Sequence, residues 1–481
     1  MEKYSRNHFI TVIDDILKNM IPFIIIFWGV FKNGNILKSH FLKLGIFIGI
    51  IALALIYDVV KWRKKKYCLT DNKIMVREGV FIAKRREIPF SKIQTINVSQ
   101  NIKQRIFKLA SIKIDTGSSI AKESEINIVI KKQKAEKLKH TILNSKEEDK
   151  DISDNINEET KKDINEIKTS GKDLFVASLT NNAWFAGVTA IFAVYNFLGN
   201  YLGDILEKRA QGVVDNYADK INFDTMAIKN LVILIIFFIF IYLIFSVIIS
   251  MILIFIKYYD FSIKREGKNI VINYGLFEKK NYVMPVKKIS AVYIKQNLFR
   301  QMIGLRELHI ETVGYGDEKG ESSILFPIAN LAKQKDIIKT LLPEFYVEDE
   351  FIKVPKRALK RFIKYKFIFT AILSVVLSFK FTYGFCSFIL VPILVYIGYR
   401  EYKNSGIYMD ENIIGLSFGT FNKVKYLVLI KRVQSMQMGQ NYFQRKLRVF
   451  NFQISIQGNI FGKTIGVRNF SEELQDKLIF H

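Results

Sequence analysis

Two regimes of hydrophobicity alternate along this chain. Long apolar runs give way to stretches where apolar and polar residues exchange every second position, and the pair of regimes occurs three times. The longest run, Leu231 to Ile256, carries no charge; as a helix it extends roughly 39 Å and crosses a ~30 Å hydrocarbon core with tilt. Ala183 to Gly203 is also uncharged and predicts its hairpin partner, across a mixed stretch holding Asp204, Glu207, Lys208 and Arg209. Asn19 to Phe31 and Phe41 to Val60 predict a hairpin near the N-terminus, and Phe367 to Tyr399 a third, with Lys380 and Gly384 near its tip. The first arms of these two are short, so they need snorkelling lysines or a shallow insertion.

Between the apolar runs the period is two. Tyr67-Cys-Leu69, Asp71-Asn72 and Ile74-Met-Val76 read as strand, turn and strand, and Gly79 supplies the next turn. Ile407-Tyr-Met409, Glu411-Asn412 and Ile413-Ile414 repeat that arrangement, and Glu125 to Lys131 and Thr464 to Arg468 predict later strands of half-buried antiparallel sheet. Amphipathic helices are expected at Lys134 to Leu143, Leu331 to Leu342 and Ser471 to Phe480, the last with Ser471 as N-cap and Glu472 and Glu473 in its first turn.

The repetition extends to single residues. Gly79/Phe81, Gly275/Phe277 and Gly419/Phe421 are followed at one spacing by Gln100-Asn101, Gln296-Asn297 and Gln440-Asn441. Ile93, Ile289 and Val433 coincide without a gap, as do Leu109, Leu305 and Val449, so the chain is one module used three times. The expected organisation is an N-terminal segment and hairpin (1–66), module one (67–145), an acidic, disordered linker (146–172), hairpin two (173–257), module two (258–346), a basic segment with hairpin three (347–400) and module three (401–481).

Composition sharpens this picture in one respect. Apolar residues make up 49% of the chain, yet its formal net charge is +27, so the basic residues must be segregated from the apolar runs. They cluster at span ends: Lys61, Arg63, Lys64, Lys65 and Lys66 after one, Lys356, Arg357, Lys360 and Arg361 before another. The connecting tips carry little excess positive charge, so the positive-inside rule places both termini and all three modules in the cytoplasm, on about six helices. Recognition of anionic lipid headgroups is a second reading of the same clusters. The N-terminus lacks a small-residue cleavage site, so an uncleaved chain is expected. Cys68 and Cys386 give no disulfide framework.

Six or seven strands and a terminal helix in each module predict a small β-sandwich or partly open barrel, a shape that resembles the pleckstrin-homology (PH) superfold. Ile93 to Arg105, Ile289 to Arg300 and Val433 to Arg445, with Asp173 to Thr180 and Val354 to Ala358 before two hairpins, resemble the bacterial membrane-flanked PH-like domain family, bPH2, in its long three-repeat form. The resemblance implies a multi-pass α-helical protein of the bacterial cell membrane with three soluble PH-like modules, each closed by a C-terminal helix. It also implies that a smaller one-repeat relative is a plausible partner, beside the membrane lipids. Leu429 stands where Pro89 and Pro285 stand, and the arginine shifts by one residue in the second copy.

Little points to catalysis. His8, His40, His140, His309 and His481 are scattered without metal-ligand spacing, so neither a metal nor a cofactor is expected. Gly314 to Gly320 reads as a hairpin rather than a phosphate loop, and no nucleophile elbow occurs. Aromatic residues lie mostly in the apolar spans, which argues against nucleic acid. The shared candidates are Gln100, Asn101, Arg105, Gln296, Asn297, Arg300, Gln440, Asn441 and Arg445. The amides of the Gln-Asn pairs could bind a peptide or a lipid headgroup, but holding local backbone is the expected role, because three modules with otherwise divergent surfaces share fold-determining residues first. Two functions stay open: a non-enzymatic scaffold in envelope maintenance or antimicrobial tolerance, and a transporter or lipid-handling protein that uses the hairpins as a pathway. Mid-membrane irregularities are confined to Asn196, Pro22 and Pro392, which favours the scaffold.

Overall fold

The structure is a computed structural model that describes residues 4–16, 19, 40–70, 72–93, 95–115, 126–148, 166–180, 225–312, 323–348, 351–381, 383–457 and 463–475. Each module is a pair of three-stranded antiparallel sheets packed face to face. In the first, β2 (Lys66–Leu69), β3 (Lys73–Glu78) and β4 (Lys84–Pro89) form one layer, extended by β1 (Ser5–Arg6). The other layer holds β5 (Thr95–Gln100), β6 (Leu109–Asp115) and β7 (Ile126–Lys131). The second module repeats this with β9 (Ser262–Glu266), β10 (Asn269–Tyr274) and β11 (Lys279–Pro285), then β12 (Ile289–Gln296), β13 (Arg306–Thr312) and β14 (Ile324–Ala329). In the third the strands are β16 (Gly406–Met409), β17 (Ile413–Phe418) and β18 (Lys423–Leu429), then β19 (Val433–Gly439), β20 (Val449–Ile456) and β21 (Lys463–Ser471). Short strands β8 (Ile167–Lys168) and β15 (Ile352–Lys353) edge the first layers of modules two and three.

The modules do not stop at their own boundaries. β5 pairs with β11 and β12 pairs with β18, so two seven-stranded sheets run from the second layer of one module into the first layer of the next. Each shared sheet turns opposite faces to two cores, because neighbouring residues of a strand point to opposite sides. At the second joint, Val292 and Ile294 of β12 share module two's core with Leu427 and Leu429 of β18. Ala291, one residue along, lies in module three's core with Tyr426 and Val428. The separate modules expected from the sequence are therefore joined through continuous backbone pairing and interlocked cores.

Ten helices are labelled among the described residues: α1 (His40–Lys64), α2 (Ile102–Ile106), α3 (Lys132–Glu148), α4 (Gly171–Thr180), α5 (Thr225–Tyr258), α6 (Leu298–Met302), α7 (Leu331–Leu341), α8 (Leu359–Lys380), α9 (Leu390–Asn404) and α10 (Tyr442–Lys446). Three stretches in this set are long and apolar enough to cross a membrane: Phe240–Tyr258, Lys356–Lys380 and Gly384–Asn404. The last two make a tight hairpin. A Cβ on Gly398 would lie 2.5 Å from the Phe362 carbonyl oxygen, so the small residue lets α9 approach α8, and Lys366 pairs with Glu401 at 2.6 Å across them.

α3 and α7 close modules one and two as expected, burying Leu138 and Ile142, and Ile337 and Leu341. Of the helix expected at Ser471 to Phe480, the described residues show a 3-10 turn, Glu472–Leu474, leading into a helical Gln475; residues 476–481 lie outside the described residues. The expected linker is shorter than its composition suggests, since α3 continues to Glu148 and β8 already forms at Ile167. The arm Ala183 to Gly203, the arm Asn19 to Phe31 apart from Asn19, and the loop Gly314 to Gly320 lie outside the described residues.

Candidate functional site at the membrane ends of the modules

The shared Gln-Asn pair opens the short helices α2, α6 and α10. Asn101, Asn297 and Asn441 are their N-caps, each side-chain oxygen accepting the N–H three residues on, at 2.8, 2.9 and 2.9 Å. The amides of Gln100, Gln296 and Gln440 donate to the carbonyls of Leu109, Leu305 and Val449, clamping the end of each second-layer edge strand to the next strand beyond its short helix. In α2 and α10 the box is reciprocal: Gln104 and Gln444 accept from the N-cap backbone N–H at 3.2 and 3.0 Å.

The displaced arginine of the second copy now has a reason. Arg300 occupies the box position of Gln104 and Gln444, and Gln301 occupies the next position, that of Arg105 and Arg445. Only 2% of Arg300 is exposed, and its guanidinium donates to Thr180 Oγ1 (3.0 Å) and the Ala177 carbonyl (3.1 Å) of α4 while pairing with Glu307. In module three the same spacing carries a neutral pair, Gln444 to Asn451 at 2.7 Å. Burial alone would raise the Glu307 pKa, but the His309 hydrogen bond and the Arg300 charge outweigh it and hold the carboxylate at about 2.

A carboxylate depressed below its unfolded value adds stability above that unfolded pKa, and the contribution is lost as pH falls through the folded pKa. The expected result is a melting temperature that declines as pH drops from 4.5 toward 2, with a shallower decline in Glu307→Gln. Thermal melts of detergent-solubilised protein across that range measure it; equal slopes would refute the assignment.

The next position in each short helix ties one module to the following one. Arg105 Nη1 donates to the Leu276 carbonyl at 3.1 Å, and Gln301 Nε2 donates to the Phe421 carbonyl at 2.7 Å. Both acceptors lie in Gly-x-Phe turns. Gly79, Gly275 and Gly419 adopt φ of 116°, 109° and 115°, which an L side chain rarely tolerates.

These turns lie against the ends of long apolar helices. Gly275 and Leu276 donate their N–H groups to the Tyr259 and Ile256 carbonyls at the end of α5. Asn404, at the end of α9, donates to the Gly419 and Thr420 carbonyls, and Phe81 stacks on Tyr57 of α1. The start of the apolar stretch Lys356–Lys380 docks there too, through Arg361 of α8 on Asn441, as do α4 on α6, as above, and Asp14 on Lys103 of α2.

Apolar side chains stand out from this end of all three modules. The short helices expose Ile106 and Phe107, Met302 and Ile303, and Tyr442 and Phe443; Phe81 and Met302 are 89% and 78% exposed. Beside α2, Arg105, Lys108, Lys131, Lys132 and Lys279 line an open cationic pocket with Phe107. Of the basic residues flagged at span ends, Lys61, Arg63 and Lys64 close the last turn of α1, with Lys65 and Lys66 directly after it. Lys356 and Arg357 precede α8, and Lys360 lies in its first turn. Arg357 and Arg361 instead bond module three, at Ser471 (2.7 Å) and Asn469 (3.1 Å). Among the described residues no three His, Cys, Asp or Glu side chains form a metal-binding group.

Gln104, Gln444, Gln301, Glu307 and Thr180 are the working residues that sequence reasoning missed. The spacing Asn-x-x-Gln, a capping-box signature, was available for the first two; the contacts of Thr180 and Glu307 are long-range and had no local signal.

Three tandem PH-like sandwiches, stitched by shared sheets and rooted on apolar helices, define a membrane-anchored repeat protein. The chain belongs to the family described as bacterial PH domain, whose sequence profile matches residues 23–146, 222–344 and 359–477. It is 28% identical over 484 residues to the UPF0699 transmembrane protein YdbT of Bacillus subtilis (strain 168), a match that covers 96% of this chain and 93% of that protein. No solved structure matches it.

Proposed function

We propose that this protein is a non-enzymatic scaffold of the bacterial cell membrane whose PH-like modules lie on the cytoplasmic face and bind lipid along their span-side ends. One observation carries the reading: the short helix after each Gln-Asn pair exposes large apolar side chains and packs against a segment that enters or leaves a span. Water-exposed apolar groups in such a place fit the headgroup and upper acyl region, with Arg and Lys meeting lipid phosphates. Basic residues at the module-side ends of α1, α5, α8 and α9 support the cytoplasmic side. Service in envelope maintenance or antimicrobial tolerance, and association with a smaller one-repeat relative, belong to the same reading.

The test uses single cysteines at Phe107, Met302 and Tyr442 in a Cys386→Ser background, labelled with a polarity-sensitive dye in lipid nanodiscs containing spin-labelled phospholipid. The three labels are expected to be quenched by the spin label. A label at Glu411, in the β16–β17 turn at the far end of its module, is expected to stay bright. Equal brightness at all four positions would rule out lipid contact.

A further inference from the structure

From the two joints we infer that β19 and Arg445 form a third joint, which receives the third strand of a PH-like module carried by a different chain on the same membrane face. The inference stands on strand geometry and goes beyond lipid binding; it survives if the modules prove not to touch lipid.

Both internal joints are built alike. The edge strand of a second layer, β5 or β12, pairs antiparallel with the third strand of the next module, β11 or β18, and the fourth-position residue of the short helix donates to that module's Gly-x-Phe turn. β19 is the equivalent edge of module three. Among the described residues its sheet contains β19, β20 and β21 alone. The difference shows in burial at the first two of three matched positions: Thr95 and Asn97 of β5 and Ala291 of β12 are buried and Tyr293 is half-buried, while Ser435 and Gln437 of β19 are exposed; at the third, Ser99 is buried but Lys295 is exposed like Gly439. Polar side chains at these places do not oppose a joint, because β5 makes one with Thr, Asn and Ser. Arg445, the counterpart of Arg105 and Gln301, is exposed at the place where a following turn would lie. Two independent halves of one interface are thus present on the same end of the molecule.

The occupant is not module one of a second copy. Its third strand, β4, exposes Lys84, Arg85, Arg86 and Glu87, a charged edge that resists pairing. Glu87 stands where Val283 and Leu427 are buried in the two joints, and it is held by Lys73 at 2.9 Å and Arg85 at 2.7 Å. Placing that carboxylate opposite Met436 would desolvate it and break those pairs. The fitting strand is apolar at that position and belongs to another chain. By the register of β12 with β18, its apolar residue meets Met436 and the residue before it meets Gln437.

Photoreactive benzoylphenylalanine placed at Gln437 and, separately, at Arg445 of the full chain tests this in the membranes of the producing cell, with Glu411 as the control position. The expected product is a cross-link whose mapped site lies in a PH-like module of another protein: in its third strand from position 437, and in the Gly-x-aromatic turn before that strand from position 445. Ser435→Lys with Gln437→Lys, both on an exposed edge, should reduce the product from position 445 by roughly tenfold or more. The inference is overturned by links to residues 84–88 or to position 437 of a second copy. Links to a protein without such a module, or yields no higher than at Glu411, overturn it equally.

Discussion

Arg300→Ala is expected to lower the stability of module two by about 3–5 kcal/mol, the usual consequence of removing one member of a buried ion pair. The loss has two parts. Glu307, only 16% exposed, loses its guanidinium partner, and α4 loses its two guanidinium contacts at Thr180 and Ala177. Because α4 leads directly toward a predicted membrane arm, the detachment should appear as new protease cleavage near residues 171–180 before global unfolding. The internal repeat supplies the rescue. Arg300→Gln with Glu307→Asn recreates the Gln444–Asn451 pair of module three, so the double variant should recover the larger part of the lost stability. Thermal melts and limited proteolysis in detergent measure both. A single Ala variant as stable as the parent, or a double variant worse than the single, would show that the pair does not hold this joint.

The same pair marks the boundary of what sequence could say. The threefold spacing, the alternating strands and the helices α3 and α7 were all legible, because each depends on local period. The arginine looked displaced because motif reading aligned residue types. The structure aligns helix positions instead, and there Arg-Gln has replaced Gln-Arg, with the third position reaching back to the preceding span segment and the fourth reaching forward to the next module. The sheets shared between modules were not legible at all, since edge pairing is made by backbone groups that every residue carries. β12 is buried on both faces over Ile289 to Val292 while β19 is not, and in sequence that is no more than Ile-Ser-Ala-Val against Val-Gln-Ser-Met.

Gly275→Ala should cost about 3 kcal/mol or more, and its neighbour in kind, Gly267→Ala, about 1 kcal/mol. Both glycines have positive φ, 109° and 56°. They differ in what a methyl group would meet. At Gly267 nothing lies within 4 Å, so only the left-handed backbone is penalised. At Gly275 the new Cβ would fall 2.0 Å from the Glu278 carbonyl oxygen and 3.1 Å from its carbon, and backbone cannot rotate away as a side chain can. The turn would have to open. Its N–H groups would then release the Tyr259 and Ile256 carbonyls at the end of α5, and the Leu276 carbonyl would leave Arg105. A single methyl group therefore strikes span end, turn and inter-module tie together, and the damage should extend to module one. Unfolding midpoints of the two variants, read beside dye quenching at Phe107, separate local strain from this linked loss. If Gly275→Ala melts no lower than Gly267→Ala and the Phe107 label is unmoved, the turn is not the element that couples span to modules.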